Sequence, residues 1–259
     1  MTSYTVSQVA LQLYTLRDFC KTLPDLKKTA EKVRQIGYQA VQSSGVGVPH
    51  ADAKKVFEDA GLIVCATHEA SDLILKDPEA VCDLLQQIGT THTAYPYPGG
   101  IDFGNETVVR EFARQLDASG EVMAKHGCTL SYHNHAIEFV RFGKSTVLDY
   151  IYESTNPAHL KAELDTYWVQ YGGGDPAAWL DKLSGRAPLL HLKDYVFTVK
   201  DKPAFAEIGQ GSLDWRRILT AAEAAGTEWL IVEQDTCPGD PFDSIKTSFD
   251  YLHALLLNE

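Results

Sequence analysis

The sequence predicts an α/β fold, a single (β/α)8 TIM barrel with its active site at the C-terminal ends of the strands. Three observations predict it. Amphipathic stretches run repeatedly into a glycine and then into a short, β-rich apolar run. Strand and helix alternate without interruption, which means a parallel sheet. Eight such units in 259 residues match the usual size of a closed barrel. An open doubly wound sheet would usually place a glycine-rich phosphate loop after its first strand; here the first run reads LQLYTLRD, without a glycine.

The elements follow in order. The first strand is the run around Ala10–Tyr14. Leu26, Ala30, Val33 and Ile36 lie at helical spacing and stop at Gly37, before YQAVQ. Val56, Phe57 and Ala60 stop at Gly61, before LIVCAT. Val81, Leu84, Leu85 and Ile88 stop at Gly89, before THTAY. Val109, Phe112, Leu116 and Met123 lead to Gly127 and CTLSYH. Runs at Leu160–Asp165 and Leu189–Lys193 supply strands six and seven, and Ile218, Leu219, Ala222 and Ala225 lead through Gly226 to WLIVEQ. Glycine tolerates the left-handed conformation that ends a helix, so each marks a stop where a strand must begin. Pro24 and Pro78 sit in first turns, where a missing N–H is harmless. The stretch from Tyr195 to Leu213, with its IGQG turn, reads as a loop decorating the mouth between strands seven and eight. No linker or low-complexity tract divides the chain, so residues 1–259 are expected to form one domain.

Composition narrows the function. The hydrophobic share of 44% suits a chain with a sizeable buried core. No run approaches the roughly 18 apolar residues of a membrane span, and Met1–Val9 lacks the basic-then-apolar pattern of a signal peptide. Cys20, Cys65, Cys82, Cys128 and Cys237 are odd in number and contain no CxxC pair, so they read as reduced thiols of a cytoplasmic protein. A net charge of −12 argues against nucleic acid as a partner. Assembly into a homo-oligomer is left open.

Ionisable residues gather where the strands end. Strand one ends at Tyr14–Arg17, strand three at His68–Glu69, strand four at Tyr95–Tyr97 and strand five at His133–His135, with Glu138 beyond. Strand six ends at Asp165, strand seven at His191–Lys193–Asp194 and strand eight at Glu233–Asp235. Burying such groups without partners is costly, and several in one barrel can partner each other through a cation. Taken singly, His68 and His135 read more readily as hydrogen-bonded histidines than as ligands, and Asp165 equally as a helix cap. Tyr95 and Tyr97 read as walls of the pocket, Trp179 and Trp215 as packing residues, and Trp168 as either. Glu233 and His191, inside apolar runs, have no obvious structural use. The combination carries the signal.

The segments YHNHAIEF, ELDTYW, HLKD, IGQGSLDW and VEQD resemble the xylose isomerase-like barrel superfamily, and above all its sugar phosphate isomerase/epimerases, with inosose dehydratases and 3-keto-glycoside lyases as relatives. The resemblance spans essentially the whole chain. It implies a metal site of four ligands on strands five to eight, for which Asp165, His191 and Glu233 match the last three positions. The first is Glu138 in this branch; many relatives instead carry a glutamate at the position of His133. Five extended residues span about 16 Å, so both reach one ion only if the chain folds back. Glu138 is taken as the ligand, with His133 and His135 in catalytic or substrate-binding roles. Gln210 stands where relatives usually have glutamate.

Three carboxylates and an imidazole suit Mn²⁺, Mg²⁺ or Co²⁺, with Mn²⁺ expected first. Such an ion polarises a carbonyl and stabilises the enediolate formed when the neighbouring C–H loses its proton. The expected activity is therefore a metal-dependent isomerase or epimerase acting on a small-molecule sugar. Glu233 is expected to be ligand and base, His133 and His135 acid/base groups or substrate contacts, and Lys193 the cation facing oxyanion charge. Tyr14, Arg17, His68, Tyr95 and Trp168 are candidate substrate contacts. The rival is a lyase or dehydratase on a 3-keto-glycoside or inosose. A DNA-repair activity like that of endonuclease IV, in the same superfamily, would need more histidines and a basic surface.

Overall fold

The helix that precedes the second strand shows how the pattern becomes structure. In the computed structural model, which describes residues 2–257, helix Leu23–Ile36 starts at Thr22, whose hydroxyl accepts the Asp25 amide at 3.3 Å. Leu26, Ala30 and Val33 are buried along one face, and each large aliphatic side chain so buried contributes about 1.5–3 kcal/mol. Gly37 ends the helix at φ 130°, and a Cβ there would stand 2.4 Å from the Phe249 ring. Backbone and space both require glycine.

Eight strands follow the expected order: β1 (Val9–Gln12), β2 (Ala40–Ser43), β3 (Ile63–His68), β4 (His92–Tyr95), β5 (Thr129–His133), β6 (Leu160–Asp165), β7 (Leu189–Leu192) and β8 (Trp229–Val232). All pairings are parallel, and β8 returns to β1 with Ala10 opposite Ile231, which closes the barrel. Asp165 on β6 stands opposite His191 on β7. Most apolar side chains pack between strands and surrounding helices. A second, smaller cluster comprises Ala10, Ala40, Cys65, Ala66, Leu189 and Ile231.

That small cluster sets the level of the site. Side chains two residues apart share one face of a strand. Two positions beyond Ala10, Ala40, Leu189 and Ile231 stand Gln12, Gln42, His191 and Glu233, all buried. The interior thus turns from apolar to polar as the strands approach the mouth.

The stretch from Tyr195 to Leu213, expected as a loop, is partly regular. Asp194–Thr198 and Lys202–Ala206 pair as an antiparallel hairpin, turning through Asp201 at φ 56°. Its aromatic and β-branched residues (Tyr195, Val196, Phe197, Thr198) favour a strand, and Asp tolerates the left-handed turn. Among the described residues no helix is long and apolar enough to cross a membrane.

Candidate active site

Strand β6 brings two carboxylates inward, Glu163 and Asp165, both 0% exposed. They define two layers bridged by the same two imidazoles. In the inner layer, Glu163 Oε1 lies 2.5 Å from His68 Nε2, 3.1 Å from His133 Nδ1 and 3.1 Å from His191 Nε2. Gln42 Nε2 donates to Glu163 Oε2 at 2.5 Å. In the outer layer, His133 Nε2 and His191 Nδ1 each lie 3.9 Å from Asp165 Oδ2, and His191 Nδ1 lies 2.9 Å from Glu233 Oε2. In each tetrad, His68–His133–Glu163–His191 and His133–Asp165–His191–Glu233, one ligating atom per residue lies within 4.8 Å of the others.

Lys193, 1% exposed, closes the outer layer. Its ammonium is 2.7 Å from Glu233 Oε2, 3.1 Å from Asp165 Oδ2 and 3.2 Å from Asp235 Oδ2. Burial alone would lower the lysine pKa; the three carboxylates outweigh it and raise it. Burial works against ionised Glu233 too, but Lys193 and His191 hold its carboxyl well below the usual range. His191 is pushed up to about 10, because Glu163 and Glu233 outweigh its burial. Asp165 is raised to about 6 by burial, against the pull of Lys193. Burial, reinforced by neighbouring cations, lowers His133 to about 3 and His135 to about 2, so both are neutral.

The outer layer has the features of a cation site. Asp165 Oδ1 caps the next helix by accepting the Trp168 amide at 2.9 Å, so the cap reading of the sequence holds. Its other oxygen accepts no hydrogen bond; it faces two imidazoles at 3.9 Å and is countered by the Lys193 ammonium at 3.1 Å. A buried carboxylate oxygen held by charge alone, between two imidazoles, is what a divalent ion would satisfy. His133, Asp165, His191 and Glu233 fit one.

Glu138 is not brought into either tetrad. The chain does fold back after β5, through a turn at Ile137–Phe139, but the Glu138 carboxylate accepts Tyr132 Oη at 2.7 Å and the His135 amide at 2.9 Å. Burial raises it to about 7. It pins the loop, and the residue of this segment that stands in the tetrads is His133. Tyr95 is likewise displaced from its expected role: it is buried and packs on Phe112 and Tyr132. Gln210 is exposed, its backbone N–H donating to Glu207 O.

Above the outer layer opens a cavity of about 730 Å³, lined by Tyr14, Arg17, His68, Tyr97, His133, His135, Trp168, Lys193, Glu233 and Asp235 among others. Arg17 sits 4.5 Å over the Tyr14 ring and donates to Asp235 O. His135 packs edge-on against Tyr97 and lies 5.4 Å from Trp168. His135 Nδ1 and Trp168 Nε1 are buried without partners. Glu163 and Gln42 escape a reading confined to strand ends, and Gln12 ends β1 just before the Tyr14–Arg17 stretch taken as the end of strand one. The usable signal was period: Glu163 precedes Asp165 by two residues and so shares its inward face. A second cavity of about 650 Å³, lined by Cys65, Cys82, His92 and Cys128, lies at the opposite end, where strands begin; among the described residues its side chains form no tetrad like those above.

The model of the xylose isomerase-like TIM barrel family matches residues 30–255. The chain belongs to that family. Among family relatives, an inosose dehydratase from Geobacillus thermodenitrificans (strain NG80-2) is 27% identical over 154 residues, covering 53% of this chain and 51% of that protein. The chain thus matches about half the length of its curated relatives. A solved sugar phosphate isomerase/epimerase from Parabacteroides distasonis ATCC 8503 is 23% identical, with a TM-score of 0.80 over 98% of this chain and 96% of its own. A xylose isomerase-like TIM barrel protein from Mycobacterium smegmatis, solved in complex with magnesium, is 14% identical, with a TM-score of 0.75 over 98% and 99% of the two chains. These likenesses establish the fold.

Proposed function

We propose that the protein is a divalent-metal-dependent enzyme that removes a proton beside the carbonyl of a keto- or aldo-sugar, as an isomerase or epimerase. The observation that carries this reading is the outer layer: four side chains able to ligate one ion, carried on or just beyond four strands, beneath a cavity whose wall includes His133, His135, Lys193 and Glu233. His133, Asp165, His191 and Glu233 would hold the ion, with Mn²⁺ favoured and Mg²⁺ or Co²⁺ as alternatives. When bound, the ion supplies Lewis acidity to the substrate carbonyl.

The chain's own groups do the rest. Neutral His135 has a ring nitrogen without a partner beside the cavity, placed to hydrogen-bond a substrate hydroxyl. Glu233 is ionised and within reach of the cavity, a candidate base. Lys193 keeps a positive charge beside the cavity, where negative charge develops on a substrate oxygen. The unpaired Trp168 indole N–H can donate to a hydroxyl. Tyr14, Arg17, His68 and Tyr97 wall the cavity and would contact the sugar.

The test is deuterium exchange. Chelator-treated protein, reloaded with Mn²⁺, Mg²⁺ or Co²⁺, is incubated in D₂O with keto- and aldo-sugars and followed by NMR. Metal-dependent exchange at the carbon next to the carbonyl is expected, and Asp165→Asn or Glu233→Gln should lower its rate about 100-fold or more. Absence of metal-dependent exchange with every sugar tried would overturn the proposal. A second reading, loss of water or an aglycone after proton removal, is favoured by the inosose dehydratase relatives and by two neutral histidines at the mouth. In the same tubes it shows as an unsaturated product rather than a new sugar isomer.

A further inference from the structure

We infer that Glu163 is a positioning residue: its buried carboxylate fixes the proton on the inward nitrogen of His133 and of His191, and so turns the outward nitrogens into metal ligands. This rests on the outer-layer metal site proposed above.

The polarity of the network carries the argument. Gln12 Nε2 donates to Gln42 Oε1 at 3.0 Å, and Gln42 Nε2 donates to Glu163 Oε2 at 2.5 Å. The Gln42 amide is thereby held with its oxygen toward His191 Nε2, 2.6 Å away. His191 Nε2 faces that oxygen and Glu163 Oε1, both acceptors, so it must carry a proton. His68 Nε2 hydrogen-bonds the same Glu163 oxygen at 2.5 Å, and His133 Nδ1 stands 3.1 Å from it at an angle short of a hydrogen bond, with that carboxylate as its nearest charged acceptor. Gln12 Nε2 stands 3.4 Å from His68 Nδ1, as a donor would.

A neutral imidazole carries one N–H. With the proton held on the inward nitrogen, His133 Nε2 keeps its lone pair toward Asp165 Oδ2. His191 Nδ1, which faces Glu233 Oε2 at 2.9 Å and so carries a proton too in the metal-free protein, would give up that outward proton rather than the inward one when an ion binds. One carboxylate therefore sets two ligands, as an orienting group behind a ligand histidine does in metal sites generally. Glu163 is 0% exposed and absent from the wall of the cavity. It works through the imidazoles rather than on substrate.

The experiment compares wild type, Glu163→Gln and Glu163→Asp. Mn²⁺ affinity is read from the electron paramagnetic resonance signal of free ion, ring protonation from nitrogen-15 NMR of labelled histidine with and without Mg²⁺, and folding from circular dichroism. In wild type the inward nitrogens should carry the protons in both states. E163Q should weaken Mn²⁺ binding about 10–100-fold and mix the two ring tautomers. E163D, which keeps the charge on a shorter arm, should fold and fall between the two, so a misfolded E163Q leaves the inference testable. Inward nitrogens found unprotonated in wild type would overturn it. So would E163Q or E163D binding Mn²⁺ as tightly as wild type with tautomers unchanged. Complete loss of binding in either Glu163 variant while Asp165→Asn still binds would overturn it differently, by placing the ion in the inner tetrad with Glu163 as ligand. A wild-type protein that binds no Mn²⁺ overturns the proposed function itself, whatever the ring protons show.

Discussion

Lys193 holds three acidic neighbours, Asp165, Glu233 and Asp235, within 3.2 Å while 1% exposed. Removing one partner of a buried ion pair leaves charge uncompensated, which costs about 3–5 kcal/mol. Lys193→Met should therefore lower stability by about that much in chelator. Added Mn²⁺ should restore more stability to the variant than it adds to wild type. Urea denaturation with and without metal reads both effects, and an equal response to metal would show that the ammonium does not neutralise the outer carboxylates. Asp165, His191, Glu233 and Lys193 were legible in the sequence because each closes an apolar run. Glu163 and Gln42 were not, because they sit inside their strands, where only inward register distinguishes a functional polar residue from a structural one. Glu138 misled because its glutamate is needed by the loop: it answers a tyrosine hydroxyl and a backbone amide.

At the scale of elements, the connection from β7 to β8 is organised around Asp194. One of its carboxylate oxygens accepts the Gly209 and Gly211 amides and the Trp215 indole N–H at 2.8–3.1 Å; the other accepts the Tyr195 amide. A Cβ on Gly211 would fall 2.2 Å from that carboxylate, so glycine is needed there to let the backbone approach. Hydrogen bonds to a charged acceptor are worth about 1.5–3 kcal/mol each. Asp194→Asn, which keeps the shape and loses the charge, should cost about 2 kcal/mol and admit protease to residues 195–213. Limited proteolysis beside urea denaturation tests this, and an unchanged cleavage pattern would count against the anchoring role. Five barrel strands were readable because a helical pattern stops at Gly37, Gly61, Gly89, Gly127 or Gly226 just before an apolar run, and the first, sixth and seventh from their apolar runs alone. The hairpin within the connection was not, because its pairing is confined to one excursion and forms no part of the repeating unit.

For the whole molecule, buried histidines predict the acid response. Unfolded histidine titrates near 6.5, whereas burial lowers His133 to about 3 and His135 to about 2. Between pH 6.5 and 3 these two sites bind more protons in the unfolded chain than in the folded one. Their contribution is therefore full above pH 6.5 and lost as pH falls. Glu138 and Asp165, raised to about 7 and about 6 by burial, act in the opposite sense, favouring the folded state more at lower pH. Comparing a variant with wild type separates the two. His135→Asn should flatten the fall of melting temperature between pH 6.5 and 3, measured by calorimetry in chelator, and parallel curves would refute burial as the cause.

Closure of the ring by β8 against β1 has a consequence for when the chain becomes competent. Glu233 follows the last strand, so a ribosome-bound product that stops short of Trp229 offers at most three of the four outer donors. Competence to hold the proposed ion would arrive with the final seam, and such an ion would act late, as a clasp on a finished hoop rather than a mandrel around which it is wound.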